Sequence, residues 1–461
     1  MSENLPLAVA VQLAAGWCAE VARFERVRVL FIKGAAAVAQ GLRPEGERGT
    51  DVDVLVDPVD FDRFVQALIA RGWLARPQLD NEFHILQYHS VTLIHPQWPC
   101  DIDVHYYFPG FFAPEQQAFD ALAQHAETVD CADGTLPIPS RNAHAVLLAV
   151  NALRGDGSPR AQAEMRRMIR YFSEDADRWQ QALHIAHLLR AGTVLAPFAR
   201  QAGLPMPGND LSTSEARAWQ MSCASGGGVS RVLYHAPSSS WRERVRLLRW
   251  AIWRSGQELR NAHPDLPAGA LSTLRGNVER WGRGLAQARG LARLPRIGET
   301  RKRVATQAAS ASTAPEFGRD VEPAGLPHAV IVVDKGTIQV SAPRGQGPVS
   351  STRPSQFALP RDPFQVVRVS ALSVESADTI YVLPQNDGLV LTQPLVLSGA
   401  AKGIWHLLGV EPIGVSTLQE LVAHSAGLQI EECADLVKTI IVEFVRASLV
   451  RCDSGAPAVD Q

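Results

Sequence analysis

Residues 27–56 read VRVLFI, KGAAAVAQGLRPEGERGT and DVDVLV. The run 27–32 is short and β-rich, and it stops at Lys33-Gly34. Residues 34–40 are alanine-rich, a composition that favours helix. Asp51–Val56 alternates strictly, as a half-buried strand does. Working outward, Leu7–Phe24 has apolar residues at helical spacing, and Asp57-Pro58 opens a helix through Phe61, Phe64, Val65 and Leu68 that ends at Gly72. Residues 84–88, 91–95 and 101–107 read as further strands. The order is α-β-α-β-α-β-β-β, a small mixed sheet with helices expected on one side.

The whole chain has 461 residues, 46% hydrophobic and 20% charged, with a net charge of −2. That composition is globular rather than disordered, and the length suits two to four domains. Uninterrupted apolar runs stay short of the roughly 18 residues of a membrane span. The N-terminus lacks a basic region before its apolar stretch, so no secretory signal is expected. Six cysteines at 18, 100, 131, 223, 433 and 452 form no C-x-x-C. This fits reduced thiols and a cytoplasmic location rather than a disulfide scaffold or zinc knuckle.

The chain divides into four blocks: 1–140, the mixed sheet; 141–303, helical; 304–365, a flexible linker; and 366–452, a small module. In the second block, 143–153, 175–189 and 241–260 carry three- and four-residue spacing, and Ser173 with Asp175 and Asp177 reads as a helix start. The third block is rich in Ala, Ser, Thr, Pro and Gly and too long for a loop in a compact domain. Residues 329–333 and 337–340 suggest a stray hairpin within it. In the fourth, strands at 366–369, 379–383 and 389–392 precede three helices, the first capped by Ser398 and the second by a Ser416/Gln419 capping box. The third runs over 431–445 with Val437, Ile440, Ile441 and Phe444 inward.

The carboxylates of the first block carry the chemistry. Asp51 and Asp53 are two apart in a strand and share a face. Paired carboxylates repel, and a divalent cation relieves this; magnesium is usually held by one or two carboxylates plus phosphate oxygens. Asp101 and Asp103 repeat the arrangement, with His105 on the same face. Such a set can hold two metals about 3.5–4 Å apart, the geometry of in-line displacement at phosphorus. A lone D-x-D is more often a solvated strand edge. Here, however, Lys33-Gly34 stands at a strand-to-helix turn where backbone N–H groups and a lysine can receive phosphate, and Arg43 and Arg48 are near.

The series FIKGAAAVAQGL, RGTDVDVLV and DIDVHYY resembles the uncharacterised nucleotidyltransferase family of the polymerase-β superfamily. The resemblance covers roughly 1–290, including His144 and the DRW segment at 177–179. It implies transfer of a nucleoside monophosphate from a nucleoside triphosphate, ATP by default, to an acceptor, with magnesium. It makes Asp51 and Asp53 metal ligands. Asp103 becomes the third carboxylate, binding one metal and helping to activate the acceptor, with Asp101 the weaker alternative. Gly34 would admit the triphosphate, with Lys33 and Arg48 as phosphate contacts. The superfamily usually has Gly-Gly or Gly-Ser at this turn, whereas here it is Lys33-Gly34 followed by alanines, a departure that bears on the phosphate grip and not on the carboxylates. His105 either orients a ligand, acts as a base, or packs beside Tyr106 and Tyr107.

From Arg231 to Arg303 there are 16 Lys/Arg against 5 Asp/Glu, interleaved with Trp241, Trp250, Trp253 and Trp281. Arginine and tryptophan together can bind nucleic acid or anionic lipid; core tryptophans beneath a solvated face are the favoured reading. In the fourth block, DTIYVLPQNDGLVLT, LSGAAKGIWHLL and VSTLQELV resemble the PqqD-like fold, with Ala401, Ile404 and Trp405 matching its most telling segment. That resemblance implies a winged-helix-like module that binds a leader peptide as an added strand, with Thr379–Leu383 as the expected edge. The expected protein is therefore α+β: a nucleotidyltransferase-type mixed sheet, a helical domain, and a tethered peptide-binding module acting in ribosomal peptide modification. A non-catalytic adaptor and a transferase acting on a small molecule or RNA are the alternatives.

Overall fold

The computed structural model describes residues 5–47, 49–76, 89–155, 158–224, 269–292, 330–334, 337–341, 364–385 and 388–453, with scattered positions between 241 and 267. The N-terminal part contains α1 (Leu7–Phe24), β1 (Val29–Ile32), α2 (Gly34–Ala39), β2 (Asp51–Val56), α3 (Phe61–Ala70), β3 (Leu74–Ala75), β4 (Ser90–Ile94), β5 (Asp101–His105), α4 (Glu115–Ala123), β6 (Glu127–Cys131) and β7 (Gly134–Ile138). Five strands form one mixed sheet in the order β1-β2-β5-β4-β3. β2 and β5 are parallel; the other pairs are antiparallel. The strand expected at 84–88 lies outside the described residues.

Helices cover both faces of this sheet, not one. Val29, Phe31, Val52, Val54 and Ile102 pack in a core with α1 and α3. Leu30, Ile32 and Leu55 point the other way, into a core with Phe108, Phe111 and the helical domain. β1 is accordingly buried at all four positions, which is why its sequence is a continuous apolar run rather than an alternation. α1 is long and apolar enough by composition to cross a membrane. Its Leu13, Trp17, Cys18 and Val21 are buried in the first core, as a central core helix requires.

The helical part comprises α5 (Arg141–Arg154), α6 (Pro159–Ser173), α7 (Ala176–Leu188), α8 (Gly192–Ala202), α9 (Thr213–Ala224) and α10 (Ala270–Ala292). α7 starts at Asp175, whose carboxylate accepts from the N–H groups of Asp177 and Arg178; Ser173 instead ends α6. Trp179, Phe172 and Phe198 stack edge-on or tilted in its core, 5.3–5.9 Å apart. Most of 241–260 lies outside the described residues.

The C-terminal part contains β8 (Val330–Asp334), β9 (Thr337–Ser341), β10 (Gln365–Arg368), β11 (Ala371–Ser376), β12 (Thr379–Pro384), β13 (Leu395–Ser398), α11 (Gly399–Leu407), β14 (Ile413–Gly414), α12 (Val415–Ala426), α13 (Ile430–Arg446) and β15 (Val450–Asp453). The β8–β9 hairpin is not stray: β8 pairs parallel with β13, extending a sheet of order β11-β12-β13-β8-β9. β12 is hydrogen-bonded on both sides, so it is not the edge expected for a peptide. Residues 389–392 form no strand; Leu391 is a buried loop residue in the α1 core. Ser398 is the N-cap of α11 without a side-chain bond. The capping box lies at α13, between Gln429 and Glu432, because α12 begins at Val415 after a Gly414 N-cap. Val437, Ile440, Ile441 and Phe444 do face a core, together with Ala401, Ile404 and Trp405.

This part is not merely tethered. Leu372, Val374, Tyr381, Leu383 and Val396 share the core of α1, while Ile380, Val382 and Leu397, on the other face of the same sheet, join α11 and α13. The Trp17 indole N–H donates to the Leu389 carbonyl at 2.9 Å, and Arg71 Nε donates to the Gly388 carbonyl at 3.0 Å. Ser373 N–H donates to the Ala132 carbonyl at the tip of the β6–β7 hairpin, 3.2 Å away. Burying large apolar side chains contributes roughly 1.5–3 kcal/mol each, so this contact is part of the fold.

Candidate active site

The parallel register sets Asp51 opposite Asp101 and Asp53 opposite Asp103. The alternation of β2 places Asp51 and Asp53 on the face that carries Leu55, toward the helical domain. β1 runs antiparallel to β2 with Ile32 opposite Asp53, so the chain leaves β1 at Lys33 directly beside the carboxylates. Lys33 Nζ lies 2.6 Å from Asp53 Oδ1, and His105 Nε2 lies 3.0 Å from the same oxygen. Thr92 Oγ1 donates to Asp103 Oδ1 at 2.6 Å. Asp101 turns to Arg76, with Nη2 at 2.5 Å from its Oδ2.

These environments drive the carboxylates apart. Burial raises the Asp51 pKa, and repulsion from Asp53 and Asp103 raises it further. Burial also pushes Asp53 up, but Lys33 and His105 outweigh it and hold this carboxylate well below its usual range. Asp101 is raised by burial, with Arg76 opposing. Asp53 therefore stays ionised, while Asp51 gains most from an added cation.

Ligand atoms of Asp53, Asp103 and His105 lie within 4.8 Å of one another and can hold a metal ion. His105 is 3% exposed, and its Nδ1 has no hydrogen-bond partner. Carboxylate oxygens with a buried imidazole fit a divalent cation, and the Lys33 ammonium balances the charge of Asp53. Asp51 stands outside this trio but within electrostatic reach of it.

Lys33 itself has φ 58° and ψ −149°, and Gly34 has φ 33°. Gly49, with φ +90°, closes the turn from the other side: a Cβ there would sit 3.5 Å from Asp51 Oδ1 and 3.6 Å from the Gly34 Cα. Those are ordinary contacts, so it is the positive φ of Gly34 and Gly49, not lack of space, that favours glycine in these two turns beside Asp51. Arg48 lies outside the described residues. Arg43 is committed elsewhere, its Nε donating to buried Glu164 Oε1 at 2.6 Å. The Lys33 N–H is also spent: it donates to His144 Nε2 at 2.8 Å. What remains for phosphate at this residue is the side-chain ammonium.

The roles of His144, Thr92, Arg76 and Gln40 are not legible in the sequence, because their partners are 11 to 111 residues away. Among the other histidines, His89 stacks on His105 with ring centroids 5.6 Å apart, and His95 packs on Trp73 at 5.5 Å.

A mixed sheet with helices on both faces and three carboxylates at one end is compatible with the nucleotidyltransferase fold. Residues 19–207 match the family model described as an uncharacterised nucleotidyltransferase. The chain is thus an enzyme of the nucleotidyl-transferring class. No curated protein and no solved structure matches it.

Proposed function

We propose that the chain binds a nucleoside triphosphate, ATP by default, with magnesium on the Asp51/Asp53/Asp103 face and transfers its nucleoside monophosphate to an acceptor. The observation that carries this is the facing pair Asp53 and Asp103 on parallel neighbours, with Lys33 Nζ 2.6 Å from Asp53. Bound magnesium would supply Lewis acidity at the transferred phosphorus and neutralise charge there. Asp53 and Asp103, with Asp51 beside them, would hold it. His105 orients Asp53, and Thr92 orients Asp103. Lys33 Nζ, beside Asp53, would meet triphosphate oxygens. Gly34 and Gly49 form the two turns beside Asp51.

The C-terminal module is proposed to bring the acceptor, a leader peptide being the expected partner by the PqqD-like resemblance. Strand addition needs an edge; among the described strands the edges of its larger sheet are β9 and β11, and β11 is already bonded through the Ser373 N–H to the Ala132 carbonyl. Ala401, Ile404 and Trp405 support the module as buried core residues rather than as peptide contacts.

Calorimetric titration of the full chain with ATP and GTP, with and without magnesium, tests the reading, alongside a double Asp51→Asn/Asp53→Asn variant. Magnesium-dependent binding that the variant loses is the expected result. Equal behaviour of the two proteins would overturn the assignment. Titration with candidate precursor peptides tests the module separately.

A further inference from the structure

The helical domain makes one contact to the nucleotide turn that the proposed reaction does not use. A backbone N–H can only donate, so the Lys33 N–H requires a lone pair on His144 Nε2, 2.8 Å away. The ring proton is then on Nδ1, where Gln40 Oε1 accepts it at 2.7 Å. The Gln40 amide is oriented in turn, its Nε2 donating to the Pro139 carbonyl at 2.9 Å and to Glu127 Oε2 at 3.0 Å. Every member of this chain of bonds has a single role. His144 is 0% exposed, and burial, with the charge of Arg43 adding, holds its pKa down to about 3, so the ring is neutral. The residue it grips is a non-glycine at φ 58°, ψ −149°, a backbone conformation that persists only where its surroundings over-determine it. The side chain of that same residue reaches Asp53.

We propose that His144 is a positioning residue: from the first turn of α5 it locks the Lys33 backbone in its left-handed conformation, and so fixes where the Lys33 ammonium meets Asp53 and an incoming triphosphate. The consequence for nucleotide rests on the proposed function; the geometry does not.

The test uses the full chain as wild type, His144→Leu and His144→Gln. Leucine fills the space but accepts no hydrogen bond, whereas the glutamine amide oxygen can reach the Nε2 position. Hydrogen exchange is followed in peptides covering 29–40, with peptides from α6 and α7 as the fold control, and each protein is titrated with magnesium-ATP. His144→Leu is expected to speed exchange at the turn by about tenfold or more, as loss of a buried hydrogen bond does, and to weaken ATP binding by a similar factor. His144→Gln is expected to restore both toward wild type. Unchanged exchange at the turn in the leucine variant would overturn the proposal, as would accelerated exchange with unchanged ATP affinity. If wild type binds no nucleotide, the transferase reading of this site fails by itself, and exchange at the turn still decides the positioning role. Should His144→Leu not fold, Gln40→Leu, which removes the acceptor at Nδ1, is expected to loosen the same turn, and an unchanged turn there would equally overturn the proposal.

Discussion

The ammonium of Lys33 lies 2.6 Å from Oδ1 of Asp53, a carboxylate that with Asp103 and His105 could hold a metal ion. The protein's own cation thus balances a carboxylate cluster that would otherwise repel itself, and stability and metal binding at this site are coupled.

The two carboxylates of β2 should respond oppositely to neutralisation. Asp51→Asn removes a repelled charge and should stabilise the fold by about 1 kcal/mol while weakening cation binding, the usual trade at functional sites. Asp53→Asn leaves the Lys33 ammonium, 17% exposed, without its partner, and should cost about 3 kcal/mol. Urea denaturation of both variants, with and without magnesium, reads the signs.

Asp101 and Asp103 can be separated experimentally. Asp101 is held by Arg76, and Asp103 by Thr92 beside Asp53. Asp101→Asn should retain magnesium-induced stabilisation, which follows from cation binding to the folded state. Asp103→Asn should lose it. Thermal melting with magnesium and with chelator distinguishes them.

His144 makes the fold sensitive to mild acid. Its folded pKa of about 3 lies below the ordinary value of 6.5. As pH falls, the unfolded chain takes up this proton first, so stability is intact above 6.5 and drains from there toward 3. Between pH 7 and 5 this amounts to about 2 kcal/mol. Stability compared at the two pH values in wild type and His144→Gln should show a smaller loss in the variant.

The α1 interface should make the catalytic and C-terminal parts unfold together. Leu372, 2% exposed, packs in the α1 core, so Leu372→Ala should cost about 3 kcal/mol. Truncation after residue 303 would bare the face of α1 around Trp17. One thermal transition in the full chain and a lower melting temperature in the truncated form are expected; two independent transitions would refute the coupling.

Much of the site was legible because its spacing is local. Strand alternation alone puts Asp51 with Asp53 and Asp101 with Asp103, and the glycine after Lys33 marks the turn. The same logic failed where partners are remote. Nothing near residue 101 says that it will meet Arg76, and nothing near residue 33 says that its N–H will be taken by residue 144. The missed strands β11 and β13 differ in cause. β11 reads ALSVES and alternates, with Leu372 and Val374 buried, so its signal is local and readable; β13 has four residues and buries Val396 and Leu397 in two different cores, so it shows no alternation.

By itself, then, the sequence determined which side chains share a face, where the chain turns, and that carboxylates gather at the heads of two strands, since these follow from the two-residue period of extended backbone. Tertiary structure decided which carboxylate keeps its charge, which arginine is spent on a buried glutamate, and that the C-terminal sheet closes over α1. Those outcomes depend on burial and on contacts between residues far apart in the chain, and neither quantity is written in local order.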